Sequence, residues 1–270
     1  CSGHVGGTGP EGKGGMTKEE YLGIYSTGVY LPFSALSKGW RIFWRRRRGK
    51  KDRFMQETHL PSVSWRRCTV PRSIRLYEHR QEYGNIRISE LGILGQMAAN
   101  CPEGTNIFEI GTYDGRTALN LALNAPRGCQ IFTLDLPPTT KPRYELSYGE
   151  VYFVEKPEPG MRYKQYVADH PEAVARITQF MGDSATFDFS PYYGTCSLVF
   201  VDGSHAYDYA LSDTDRALKL VGRNGVVIWH DYGIWEGVTQ ALEEIEREKN
   251  LGLESIRGTS LVYWRNGKDG

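Results

Sequence analysis

Residues 108–122, FEIGTYDGRTALNLA, read as an apolar strand, a glycine turn and a helix. Phe108 and Ile110 end a short apolar run, and Gly111 lets the backbone turn sharply after it. From Arg116 the apolar residues recur at helical spacing until Pro126 and Gly128 close the segment. Gly115 lets that helix begin close to a ligand, because helix N-termini expose unpaired backbone donors.

The same alternation extends outward in both directions. Upstream, ISELGILGQMAA (88–99) has helical apolar spacing with Leu91, Leu94 and Met97 or Ala98 on one side, and CPEG stops it. Downstream come a second strand in CQIFTLDL, a helix and third strand in PEAVARITQFMGDS, and a fourth strand in CSLVFVDG. DYALSDTDRALKLV is an amphipathic helix, VVIWHD the fifth strand, WEGVTQALEEIEREKN another helix, and LESIRG with TSLVYW a closing strand pair. Short strands alternating with helices imply right-handed crossovers and a parallel sheet. The expected fold is therefore α/β: a Rossmann-like, seven-stranded, mostly parallel sheet with helices on both faces, closed by an antiparallel pair joined at RGTS. Ligands of such sheets bind beyond the carboxyl ends of the strands where strand order reverses. That rule gathers Gly111, Asp135, Asp183, Asp202 and Asp231 on one rim.

Residues 84–265 form the expected domain, and residues 266–270 a flexible end. Residues 17–83 differ in composition: Arg41, Arg45, Arg46, Arg47, Arg48, Lys50, Lys51 and Arg53 crowd together with only Asp52 opposing them, interleaved with Trp40, Phe43 and Trp44. Such a run stays in solvent or meets a polyanion. Residues 1–16, rich in glycine, are expected to be a flexible tail or an expression remnant. The formal net charge of +1 steers the whole protein toward neither nucleic acid nor membrane. Five cysteines at 1, 68, 101, 129 and 196, without a Cys-x-x-Cys pair, read as buried apolar residues in a reducing compartment. No apolar run approaches the roughly 18 residues of a membrane span; the expected location is cytoplasmic.

A dinucleotide fingerprint wants a middle glycine in the first turn. Thr112 and Tyr113 stand there instead, flanked by Glu109 and Asp114, and negative side chains suit a cationic ligand better than a diphosphate. Asp135, 24 residues after Gly111, is placed to accept hydrogen bonds from a ribose. GDSA adds Asp183 and Ser184 as candidates for an adenine amine. Each of these also has a purely structural reading: any parallel α/β protein needs a glycine at its first turn, and Glu109 can simply cap the loop.

FEIGTYDGRT, TLDL, GDSATFDF and VDGSHAYDY, in this order, resemble the class I S-adenosylmethionine-dependent methyltransferases, and more narrowly the metal-dependent sugar O-methyltransferases of the macrocin and mycinamicin type. The resemblance spans about residues 84 to 265. It implies that Glu109 and Gly111 line the methionine part of the cofactor S-adenosylmethionine, that Asp135 holds the ribose, and that Asp183 and Ser184 sit by the adenine, with Thr112, Tyr113, Gly115 and Asp202 also at the cofactor. It further implies that Asp202 and an acid after the fifth strand bind magnesium while His205 acts as general base.

Residue chemistry points the same way. Methyl transfer to a hydroxyl requires loss of the hydroxyl proton, which a divalent cation and a histidine assist. In VDGSHAYDYA (201–210), Asp202 ends a strand and His205 follows one turn later, while Asp231 ends the neighbouring strand. Oxygen ligands from adjacent strand ends suit Mg²⁺. One departure from the family pattern is His230, which precedes Asp231 where relatives carry a second acid. His230 either completes the site as a nitrogen ligand or points into the core as a hydrogen-bonded histidine. Tyr207 and Tyr209 fall on different faces of the helix and are assigned to packing.

The acceptor is expected to be a small molecule or glycan, sugar-containing or otherwise polyhydroxylated, with a catechol-type acceptor as the nearest rival. A nucleic-acid substrate is disfavoured, because VDGSHAY stands where base-amine methyltransferases resemble one another in an Asn/Asp-Pro-Pro-aromatic stretch. A non-catalytic cofactor-binding protein is disfavoured by Asp202, His205 and Asp231. The long connection 137–159, with Tyr144, Tyr148, Tyr152 and Phe153, is the expected acceptor wall. The cations at 41–53 are candidates for an anionic membrane surface, and the aromatics beside them for packing on the domain or on a second subunit.

Overall fold

Strands β2 (Asn106–Ile110) and β5 (Cys196–Val201) are buried at nearly every position rather than at alternate ones. That pattern belongs to strands covered on both faces. They pair in parallel at the centre of an eight-stranded sheet in a computed structural model that describes residues 56–78, 84–154 and 158–267. Outward from β2 lie β3 (Gln130–Asp135) and β4 (Ile177–Met181); outward from β5 lie β6 (Val221–Trp229), β8 (Val262–Arg265), β7 (Glu254–Ile256) and β1 (Ser62–Val63). The neighbours pair in parallel except at β8, which runs antiparallel to both β6 and β7, as expected of the closing pair.

Seven strands were expected and eight form. The extra strand, β1, is two residues long, too short to show a period, and it pairs with Ser255 and Ile256. β6 also begins earlier than its apolar run: Gly222 to Gly225 belong to it, with a register shift opposite Cys196 and Leu198 and Asn224 at positive φ. Such a bulge adds residues that an apolar count misses.

The helices are α1 (Trp65–Cys68), α2 (Ile88–Ala99), α3 (Arg116–Asn124), α4 (Val151–Val154), α5 (Met161–Gln165), α6 (Pro171–Val174), α7 (Tyr207–Leu220) and α8 (Glu236–Lys249). Successive strand residues serve opposite faces. Ile107, Leu198, Phe200 and Ile228 pack under Leu91 and Leu94 of α2 and Leu121 of α3. Phe108, Val199, Val201 and Val227 pack under Ala217 and Leu220 of α7 and Leu242 and Ile245 of α8. Residues 56–78 precede the expected start at 84 and contribute Trp65, Cys68, Ile74 and Leu76 to the first of these cores.

Cys68, Cys101, Cys129 and Cys196 are buried and free. Burial pushes the Cys101 thiol up to about 11 and that of Cys196 up to about 12, which makes both poor nucleophiles. Among the described residues no helix is long and apolar enough to cross a membrane. The cation cluster at 41–53 and its aromatics lie outside the described residues.

Candidate active site

The chain runs from β2 to β3 to β4 on one side of the sheet and then crosses to β5 on the other, so order reverses between β2 and β5. Their carboxyl ends converge. Gly111, at φ +99°, packs so tightly that a Cβ there would fall on the Asp202 carbonyl oxygen, and Asp202 N–H donates to Ile110 O at 2.8 Å. Only glycine combines that conformation with that approach. Over this junction opens a cavity of ≈ 530 Å³, within the usual span of roughly 300 to 1,000 Å³ for small-molecule sites.

All five expected rim residues, Gly111, Asp135, Asp183, Asp202 and Asp231, line it, as do Tyr113, Ser184, His205 and His230. On the β2–β3 side Tyr113 N–H donates to Asp135 Oδ2 at 2.6 Å, joining the glycine turn to the next strand end. Asp183 accepts from Ala185 N–H at 2.9 Å, Arg143 N–H at 2.6 Å and the Tyr209 hydroxyl at 2.8 Å, so it also anchors the connection after β3. Glu109, Thr112 and Gly115 stand apart from the lining. Glu109 is buried and accepts from Thr133 Oγ1 at 2.6 Å; burial raises its carboxyl well above the ordinary range. Thr112 Oγ1 lies 2.6 Å from Thr133 Oγ1. A Cβ on Gly115 would meet the Tyr163 ring at 2.6 Å, so that glycine admits α5 beside α3.

On the β5–β6 side, carboxylates and imidazoles alternate. His205 Nε2 lies 2.7 Å from Asp231 Oδ2, and its Nδ1 lies 2.5 Å from Glu150 Oε1. His230 Nδ1 lies 3.0 Å from Asp202 Oδ1 and 3.2 Å from Asp231 Oδ1, and its Nε2 lies 3.3 Å from Glu90 Oε2. The three contacts of the two Nδ1 atoms are close without hydrogen-bond alignment, so they act as charge contacts. His230 lines the cavity and is held from behind by buried Glu90.

The charges follow from this packing. Burial disfavours the His205 cation, but Asp231 and Glu150 outweigh it and push the imidazole up to about 10. Burial would raise Asp231 and Glu90, yet His230 and His205 hold the first below the usual carboxylate range, and His230 with Arg87 holds the second at about 2. Burial raises Asp202, against the pull of His230. One ligand atom each from Asp202, His205 and Asp231 lies within 4.8 Å of the others. This donor set, two carboxylates and an imidazole, fits a divalent cation.

Of the lining residues that the sequence did not single out, four bear directly on the imidazoles or their partners. Glu90, wholly buried at the start of α2, accepts from Ser260 N–H at 2.8 Å, Ser260 Oγ at 2.9 Å and Arg87 N–H at 3.0 Å. An acid inside an apolar helical stripe was its available signal. Glu150 sits in an aperiodic connection that gives none. Trp235 stacks on His205 with ring centroids 4.2 Å apart and an 11° interplanar angle, and Arg87 lines the cavity beside Glu90. Of the expected acceptor wall, Phe153 lines the cavity with Leu146 and Val154. Tyr144 packs edge-on against Tyr209, and Tyr148 is fully exposed.

Residues 108–232 match a family model described as Methyltransferase domain. Among solved structures the fold is similar to the Podospora anserina methyltransferase PaMTH1 bound to S-adenosylhomocysteine, at 17% identity and a TM-score of 0.50 over 69% of this chain and 81% of that one. It is also similar to the Streptomyces achromogenes O-methyltransferase TomG in complex with S-adenosylmethionine, at 16% identity and a TM-score of 0.45 over 70% of this chain and 92% of that one. A comparison with curated proteins finds no match. The matched stretch and the sheet order together give the chain the Rossmann-like fold of class I S-adenosylmethionine-dependent methyltransferases.

Proposed function

We propose that the protein transfers the methyl group of S-adenosylmethionine to a hydroxyl of a small, ring-bearing molecule of catechol type. The observation that carries this reading is the convergence of Asp202, His205 and Asp231 beside one cavity. The acidic rim suits a cationic sulfonium donor, with Gly111 and Tyr113 along its methionine part and Asp135 toward its ribose. Beyond the donor, Phe153 and Trp235 supply flat aromatic walls and Ile234 an aliphatic one, which favour an aromatic ring over a fully hydroxylated sugar.

In the reaction the S–CH₃ bond breaks as the O–CH₃ bond forms, and the hydroxyl proton passes to Nε2 of a neutral His205 imidazole, the form left once the entering acceptor displaces Asp231 Oδ2 from Nε2 and removes the charge that favours the cation. The acceptor oxygen enters where Nε2 now meets Asp231 Oδ2. Asp231 and Glu150 hold the resulting imidazolium, the form that proton uptake produces. A divalent cation on Asp202 and Asp231, with a nitrogen from His230, would stabilise the developing alkoxide as a Lewis acid. Trp235 keeps the imidazole plane fixed.

Isotope-labelled methyl transfer to catechols, simple phenols, free sugars and RNA, each with Mg²⁺ and with chelator, tests the proposal. Transfer to catechols that falls at least tenfold in chelator is expected. Transfer to sugars alone would replace the catechol reading with the macrocin-type one, and full activity in chelator would remove the cation. Residues 41–53 are further proposed to meet an anionic membrane surface; co-sedimentation with anionic vesicles that salt abolishes is expected.

A further inference from the structure

Glu150 is 3% exposed, although it lies in a connection whose neighbours Tyr148 and Val151 stand out in solvent. Burying a carboxylate is costly unless its oxygens are occupied, and here they are. Oε2 accepts from Ser147 N–H at 2.6 Å and from Ser204 Oγ at 3.0 Å. Oε1 accepts from the His205 backbone N–H and lies 2.5 Å from His205 Nδ1. One side chain therefore joins three things: its own connection, the loop after β5, and the imidazole. Leu146, Phe153 and Val154, the acceptor wall, flank it on the same connection.

We infer that Glu150 is a positioning residue for His205: its carboxylate holds the Nδ1 edge of the imidazole so that Nε2 is turned toward the acceptor hydroxyl, and it ties the acceptor wall to that base. The inference rests on the proposed role of His205. Asp231 on the opposite edge cannot substitute, because it meets Nε2, the nitrogen that must take the proton. The backbone contacts of Glu150 need an acceptor at each oxygen; the pull on Nδ1 requires its charge.

Charge and shape are separable by two variants. Glu150→Gln keeps the shape and loses the charge, together with one of the two backbone contacts because its amide NH₂ cannot accept, whereas Glu150→Asp keeps the charge and both acceptors and loses one methylene. With catechol as acceptor, or whichever member of the panel above is methylated, Glu150→Gln should lower kcat about 10- to 100-fold, the range typical when the partner of a functional histidine is removed. Binding of S-adenosylhomocysteine by calorimetry should change less than about threefold, and Glu150→Asp should recover part of kcat. In a His205→Ala background, Glu150→Gln should cost less than about twofold further, since the two act as one unit. A readout that needs no acceptor is carbethoxylation of histidines followed by mass spectrometry: Glu150→Gln should speed modification of His205 several-fold while exposed His59 is unchanged. An Asp variant worse than the Gln variant, an equal loss in both backgrounds, or unchanged His205 labelling would overturn the inference and leave the base role of His205 standing. A His205→Ala enzyme with wild-type kcat would overturn both.

Discussion

The two halves of the cavity are built by different means. The β2–β3 half rests mainly on the backbone of residues 106–135: Gly111 packs against the Asp202 carbonyl at the end of β5, and Tyr113 N–H donates to the Asp135 carboxylate. The β5–β6 half rests on side chains from α2, the connection before α4, the loops after β5 and β6, and the Ser260 turn. A backbone cradle tolerates few changes at one or two positions and many elsewhere. A side-chain network spreads its function over residues that each hold one proton or one charge.

Breaking the second half alone should leave the first working. His205→Ala is expected to lower kcat by roughly 10² to 10⁴, the usual worth of a general base, with the affinity for S-adenosylhomocysteine unchanged in calorimetry. Coupled loss of both would mean the halves are one unit. The converse is Gly111→Ala, which puts a Cβ at positive φ against the main chain of Asp202. With strain of about 1 to 3 kcal/mol, S-adenosylhomocysteine binding should weaken about 5- to 150-fold, while circular dichroism stays native.

Between the halves lies Asp213 of α7, 1% exposed and behind Gly203. Burial, with the charge of Asp183 adding to it, pushes its carboxyl up to about 7. A raised carboxyl keeps its proton in the folded state, so its contribution is fullest below the unfolded value near 4 and is lost as pH rises toward 7. Asp213→Asn should therefore raise stability by on the order of 1 to 3 kcal/mol at pH 8 and little at pH 4, read by chemical denaturation at both. Equal effects at the two pH values would contradict a buried, titrating carboxyl. The smallest effect expected is that of Trp235→Leu: losing a stacked ring worth about 0.5 to 1.5 kcal/mol should raise the acceptor KM a few-fold and leave cofactor binding alone.

The two halves also differ in how far they could be read before the fold was seen. Gly111 and Asp135 sit in contiguous strand-turn-helix segments whose local period marks them, and Asp202 and Asp231 end apolar runs. Glu90 was legible only as an acid inside an apolar stripe, and Glu150 not at all, because an aperiodic connection carries no register. Glu109 and Gly115 carry the right types in the right motif, yet one turns to Thr133 and the other admits Tyr163. A motif names positions and leaves side-chain direction to packing. β1 escaped notice because a two-residue strand owes its existence to β7.

Local apolar periods and glycine turns were enough to determine the alternating strands and helices, the antiparallel closing pair, and the rim on which Gly111, Asp135, Asp183, Asp202 and Asp231 assemble. That is so because burial on two faces imposes its period on the chain itself. Tertiary structure alone decided which acids meet which imidazole. Glu90 reaches His230 across 140 positions and Glu150 reaches His205 across 55, and contacts between such distant residues depend on the packed shape of the whole domain, which no local pattern encodes.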